Sequence, residues 1–248
     1  MASPMTPSPE AAPSVSSIGR IFGAIFSPKP TFESIVQRPT WILPLILLTL
    51  ISLAMDIVLV NKVDWRTFAQ EMLEKSGKTN NIPPEKLDQV ITQTATGQKY
   101  SYYIRGAVGD VTLAVILAAL YLAAFNLVAG ASLKFKTAFS IVVYTLVPLG
   151  IKEILGIVIL LLKDPSTINP LNIVASNVGA FVGTDAPTWL LSLGISIDIF
   201  TYWGMALAAI GFCAANPKKI KMGTAIGVVV GLYLFFVIVG VGLAAAFA

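Results

Sequence analysis

Tyr144-Thr145-Leu146-Val147-Pro148-Leu149-Gly150-Ile151-Lys152-Glu153-Ile154-Leu155-Gly156 lies inside an apolar block, 138–162, whose reading decides the fold. A bilayer's hydrocarbon layer, about 30 Å thick, needs about 20 apolar residues in a helix rising 1.5 Å per residue. Block 138–162 meets that length. So, or nearly so, do 41–61, 107–129, 188–214 and 223–247. The expectation is an all-α polytopic membrane bundle of five transmembrane helices.

Two blocks are interrupted. Pro148 removes a helical hydrogen bond, and with Gly150 it predicts a kink or break at mid-membrane. Lys152 and Glu153 follow, adjacent and so about 100° apart on a helix, which means that each needs its own partner. Asp198 in block 188–214 is a partner for Lys152, and Asp56 and Asp110 are others. Charges this costly in lipid serve either a proton or ion relay or a pairing that fixes helix register. One basic and several acidic groups without histidine favour the pairing.

Composition narrows the chemistry. Mean hydropathy is +0.80, and 12% of residues are charged, far from the roughly 25% of soluble domains. The 248 residues contain no histidine, which excludes histidine triads and histidine zinc sites. The single cysteine, Cys213, has no partner for an internal disulfide and reads as apolar filler. The net charge of +4 is concentrated at block ends, which suits anionic headgroups rather than nucleic acid. No cofactor is implied, and Gly223, Gly227 and Gly231 are no phosphate loop, lacking a preceding strand and a following Lys-Ser/Thr. Their four-residue spacing marks a helix-packing stripe, inside the monomer or at a dimer seam.

Residues 1–17, rich in Pro, Ser and Ala, read as a disordered tail. The first long apolar run begins only at Trp41, so the N-terminus reads as retained rather than as a cleaved signal. Residues 18–40 show apolar positions 18, 21, 22, 25 and 26, then 32, 35 and 36, broken at Ser27-Pro28-Lys29-Pro30. This predicts two short amphipathic helices, either interfacial with Arg20, Lys29 and Arg38 toward headgroups or packed on the protein's own helices. Residues 62–106 form a polar insertion with helical spacing, read as a small hairpin or cap over one membrane face. Tyr100, Tyr102, Tyr103 and Arg105 read as belt residues. Residues 163–187, too short and Gly-rich to span, suit a re-entrant or interfacial segment. Basic residues near span ends predict a cytoplasmic N-terminus: Arg20, Lys29, Arg38, Lys134, Lys136, Lys218, Lys219 and Lys221 share one side, against Lys163 on the short outer connection.

Phe26-Ser27-Pro28-Lys29-Pro30-Thr31-Phe32 and Arg38-Pro39-Thr40-Trp41-Ile42-Leu43-Pro44 carry a resemblance. So do Tyr144 to Pro148, Asn169-Pro170-Leu171, and Asp198-Ile199-Phe200 with Trp203 and Gly211. In order and spacing they resemble prokaryotic members of the Yip (Ypt/Rab-interacting protein) membrane domain family, from about Ile18 to the C-terminus. The resemblance implies a five-span membrane domain over 41–248 with a cytosolic N-terminus, and it draws Phe200 and Trp203 to the functional candidates Pro148, Lys152, Glu153 and Asp198. Eukaryotic members bind prenylated Rab-type GTPases, but their Asp-Leu-Tyr-Gly-Pro motif is absent here, so small GTPase binding is not carried over.

The expected function is a non-enzymatic integral membrane protein that organises the lipid bilayer or recruits partners, another membrane protein or a second copy, with no nucleic acid. The alternative is a small transporter or ion-conducting protein using the intramembrane charges. An intramembrane hydrolase lacks its paired Tyr-Asp and Gly-x-Gly-Asp motifs. The expected location is a bacterial cytoplasmic membrane, with an endoplasmic reticulum or Golgi membrane as the alternative.

Overall fold

The computed structural model of the chain describes residues 16–183 and 186–246, so the tail expected for 1–17 lies outside the described residues apart from its last two. Ser17 opens the first helix and Ser16 caps it. Ser16 Oγ accepts the Gly19 N–H at 3.0 Å and caps α1.

Ten α-helices follow in order among the described residues: α1 (Ser17–Phe26), α2 (Pro28–Gln37), α3 (Ile42–Lys62), α4 (Trp65–Lys75), α5 (Pro84–Ala129), α6 (Phe135–Thr145), α7 (Val147–Leu162), α8 (Thr188–Ser196), α9 (Ile199–Ala215) and α10 (Met222–Ala246). Four are long and apolar enough to cross a membrane: α3, α5, α6–α7 taken together, and α10. The remaining apolar block is divided at Asp198 into α8 and α9, of 9 and 17 residues. Five uninterrupted crossings are therefore not present. Hydropathy registers apolar length and not the backbone's continuity, so it does not show how an interrupted block is divided.

The α6–α7 junction breaks where Pro148 predicts. Proline has no N–H for the Tyr144 carbonyl, and the Leu149 N–H turns to Leu146 O at 2.9 Å. Two helices result, meeting at Leu146.

The insertion between the first two spans is half hairpin and half span. Its first arm is α4, capped by Asp64, whose carboxylate accepts the Arg66 and Thr67 N–H groups. Those bonds, led by the one from Thr67, hold the Asp64 carboxyl below the usual aspartate range. Its second arm is simply the start of α5, which runs 46 residues without a stop, about 70 Å at 1.5 Å per residue. Tyr100 and Tyr103 are exposed as belt residues would be, but Tyr102 is not one of them. Its ring packs 5.0 Å from Trp65 and lies under the Arg105 guanidinium at 4.7 Å, within a second core formed by α3, α4, α5 and α7. The side of α5 that meets α4 is decided by packing, which a tyrosine count does not register.

α1 and α2 pack on the bundle. Ala24, Phe32 and Ile35 are fully buried, and a Cβ at Gly211 of α9 would come within 2.9 Å of the Phe32 ring. Arg20, expected toward headgroups, is 4% exposed. Its Nη1 donates to Arg38 O and Thr40 Oγ1, both at 2.8 Å, and its Nη2 to Ser34 Oγ at 3.0 Å. The guanidinium fork thus ties α1 to the end of α2 and the approach to α3, because a planar five-donor group can reach several oxygens that a solvated cation would leave to water. The opposite side of α1 leaves Ile18, Phe22 and Phe26 exposed at four-residue spacing.

Arg20→Lys keeps the charge and loses the fork. Since hydrogen bonds from a charged group each contribute about 1.5–3 kcal/mol, a loss of at least about 2 kcal/mol is expected in detergent-based unfolding. An unchanged midpoint would show that the strut carries no stability.

Candidate functional site

Two polar assemblies lie within the apolar helices, and Lys152 and Glu153 send one residue to each. Asp198 organises the first. Placed between α8 and α9 in an extended conformation, it caps α9 with Oδ1, which accepts the Phe200 N–H at 2.9 Å and the Thr201 N–H at 3.1 Å. Its Oδ2 accepts Lys152 Nζ at 2.7 Å and Ser176 Oγ at 2.5 Å. At 2% exposed, the carboxylate has both oxygens engaged.

The segment around Asn177 completes this assembly. Ile199 N–H donates to Ser176 O and Val178 N–H to Ile197 O, both at 3.2 Å, so a short extended pairing covers the peptide groups freed by the helix break. Interrupted backbone at membrane depth survives only where protein satisfies its polar groups. The contact is backbone on backbone: a Cβ at Gly194 would stand 2.8 Å from Gly179 Cα and N. The stretch read as re-entrant is thus the part that satisfies the broken span.

Glu153 turns to the second assembly, as the 100° step from Lys152 requires. Ser52 of α3 lies between two carboxyls, with Oγ 2.6 Å from Glu153 Oε2 and 2.8 Å from Asp110 Oδ2 on α5. One turn along α3, Asp56 is 1% exposed and accepts Arg105 Nε at 3.0 Å, with Arg105 Nη2 on its other oxygen. Gly106 makes the approach possible, since a Cβ there would lie 2.9 Å from Leu53 Cα.

The other candidates are placed apart. Pro148 is buried at the α6–α7 junction. Trp203 packs half-buried against the main core, as does Cys213. Phe200 lines an apolar cavity of about 330 Å³ between α5, the α6–α7 junction, α9 and α10, bordered also by Leu117, Leu149, Gly204 and Tyr233. The Tyr233 hydroxyl donates to the Ser196 carbonyl and fastens α10 to the end of α8. Among the described residues, no atom lies within 4 Å of a Cβ built on Gly223, Gly227 or Gly231. The faces of α10 that meet α8 and α9 do not include that stripe.

Sequence reasoning paired Lys152 with Asp198 but missed Ser52, Ser176 and Asn177, since a serine in an apolar helix carries no signal by itself. Asp56 and Asp110 were visible as charges and not as a cluster with Arg105 and Glu153. Their spacing was a usable signal: Ser52 and Asp56 on α3, and Gly106 and Asp110 on α5, each stand four residues apart and so share a face.

Comparison with curated proteins and with solved structures finds no match. The family model of the Yip1 domain matches residues 22–243, from within α1 to the last turns of α10 and across both polar assemblies. The chain is therefore an integral membrane protein that belongs to the Yip1 domain family.

Proposed function

We propose that this protein is a non-enzymatic membrane scaffold whose cytoplasmic end gathers anionic lipid headgroups and, with them, partner membrane proteins. One observation carries the reading. Lys29, Arg38, Lys134, Lys136, Lys218, Lys219 and Lys221 are all exposed, Lys29 in the first turn of α2 and the others on segments where α3, α6 and α10 begin and α5 and α9 end. Asn216 binds the Ala131 carbonyl at 3.0 Å and Lys219 the Gly130 carbonyl, tying two of these segments together. Glu33 is the acidic residue among the described ones there. Each basic group near an anionic leaflet contributes about 1 kcal/mol, and the exposed stripe Ile18, Phe22 and Phe26 beside it suits insertion at the headgroup boundary.

In this reading α8 and α9 together make a fifth, broken crossing, since α10 lies along both. The N-terminus is then cytoplasmic, residues 62–106 are on the outer side, and the membrane is a bacterial cytoplasmic one. The engagement of both Asp198 oxygens supports a scaffold over a transporter working through the Lys152–Asp198 pair.

Native mass spectrometry of the full chain from mixed vesicles tests the lipid part. Anionic phospholipid is expected to be enriched on the wild type and lost when Lys134, Lys136, Lys218, Lys219 and Lys221 are replaced by glutamine. Equal enrichment on both proteins would remove the proposal. Membrane-impermeant maleimide on single-cysteine variants tests the orientation: Ser76→Cys labels from outside and Ser132→Cys only after lysis.

A further inference from the structure

The hydrogen bonds of Ser52 do not close with the protons at hand. A hydroxyl has one proton to donate and can otherwise only accept. Ser52 Oγ nevertheless stands within hydrogen-bond distance of two carboxyls, Glu153 Oε2 at 2.6 Å and Asp110 Oδ2 at 2.8 Å. Among the described residues Ser52 is the one hydrogen-bond partner of either carboxyl. Were both ionised, one would face the Ser52 oxygen lone pairs with nothing between them, beside a second negative charge and in a medium where such charges interact strongly.

One cation, Arg105, relieves this only in part. The charged and titratable groups facing the pair are Asp56 from α3 and Arg105 from α5, with Tyr102 beside Arg105. The Arg105 guanidinium is already forked onto Asp56, whose burial requires it. The adjacent cation on α7, Lys152, is turned away and held by Asp198. Three carboxyls and one guanidinium therefore share the α3–α5–α7 seam, leaving Asp110 and Glu153 two negative charges and one donated hydrogen between them.

We infer that Ser52, Asp110 and Glu153 form a proton-binding site, in which a single extra proton is shared across the three residues and joins α3, α5 and α7. Either carboxylic O–H donates to Ser52 Oγ while the Ser52 O–H donates to the other carboxylate, and the two arrangements interchange by moving one proton along each bond. Every lone pair that faces a neighbour then faces a hydrogen. When the proton leaves, the two carboxylates repel each other across the seam that Gly106 allows to close, so proton occupancy sets how tightly these three helices pack. Asp110 and Glu153 are only half-buried by the protein itself. The site is independent of the scaffold reading, which rests on the cationic end of the bundle.

The sign of the pH effect follows. Near neutral pH the unfolded chain has both carboxyls ionised and the folded chain holds one proton more, so raising pH favours unfolding. For a difference of one proton the unfolding equilibrium constant rises up to about tenfold per pH unit. The test is unfolding of the full chain in sodium-free detergent micelles over the neutral to alkaline range, together with infrared spectra of the folded protein in H2O and D2O. The wild type is expected to show that slope and a deuterium-sensitive carbonyl band of a protonated carboxyl. Glu153→Gln and Asp110→Asn each remove the need for the shared proton, so each is expected to fold, to lose the band and to lose the slope. An absent band in the wild type, or a band and slope unchanged in both variants, would overturn the inference. Stability that follows added sodium at constant pH would overturn it as well, by assigning the site to a metal cation instead.

Discussion

Asp198→Ala is expected to destabilise the protein by about 3–5 kcal/mol, the range for removing one partner of a buried ion pair. Three losses coincide. Lys152 loses its counter-ion at 2.7 Å, Ser176 loses its acceptor, and α9 loses the cap on its first N–H groups. Asp198→Asn separates these contributions, because its side-chain carbonyl can still accept from Phe200 and Thr201 while its amide opposes the lysine. It should recover about 1 kcal/mol of capping and none of the ion pair. The double variant Lys152→Met with Asp198→Asn removes the stranded charge and is expected to be more stable than Asp198→Asn alone. Unfolding of the wild type, Asp198→Asn, Lys152→Met and the double variant in mixed micelles supplies the cycle, with Asp198→Ala beside it, and a double variant no more stable than Asp198→Asn would show that the pair does not hold the break.

Gly194→Ala is expected to cost about 1–3 kcal/mol, the range for forcing extra atoms into a packed site. The new methyl would lie 2.8 Å from the Gly179 backbone, and neither side has a flexible side-chain end that can move away. The 173–182 segment would have to lift off α8, exposing the peptide groups that its pairing with residues 197–199 covers. Gly227→Ala is the control on the same chemistry. Its Cβ meets no atom within 4 Å, and alanine is the better helix former by up to about 1 kcal/mol in water, so no loss is expected. Differential scanning of the two variants decides the point, and equal melting temperatures would refute the close packing at Gly194.

The particular residues show how far the sequence reached. Pro148 announced its break because a missing N–H has the same effect in any helix. Lys152 and Asp198 could be paired on paper because so few cations lie within the apolar blocks. Arg20 was misplaced, since a basic residue before a span reads as a headgroup contact until the oxygens of Ser34, Arg38 and Thr40 are seen to surround it. Tyr102 was misplaced for a related reason: a ring at the belt level and a ring against Trp65 have the same spacing in the chain. The cluster at Ser52 was illegible as a unit because its members come from three helices more than 40 residues apart in pairs, at positions 52, 110 and 153.

By itself the sequence determined the solvent, the helical class, the site of the kink and the family, because apolar length, proline chemistry and motif order are local properties that survive without neighbours. Only the tertiary structure decided that one block is two helices stapled by residues 172–181, that Lys152 and Glu153 serve separate assemblies, and that Asp110 and Glu153 converge on one serine. Those outcomes depend on distances between side chains from different helices, and in a bilayer the demand that each buried polar group find a partner makes those distances decisive.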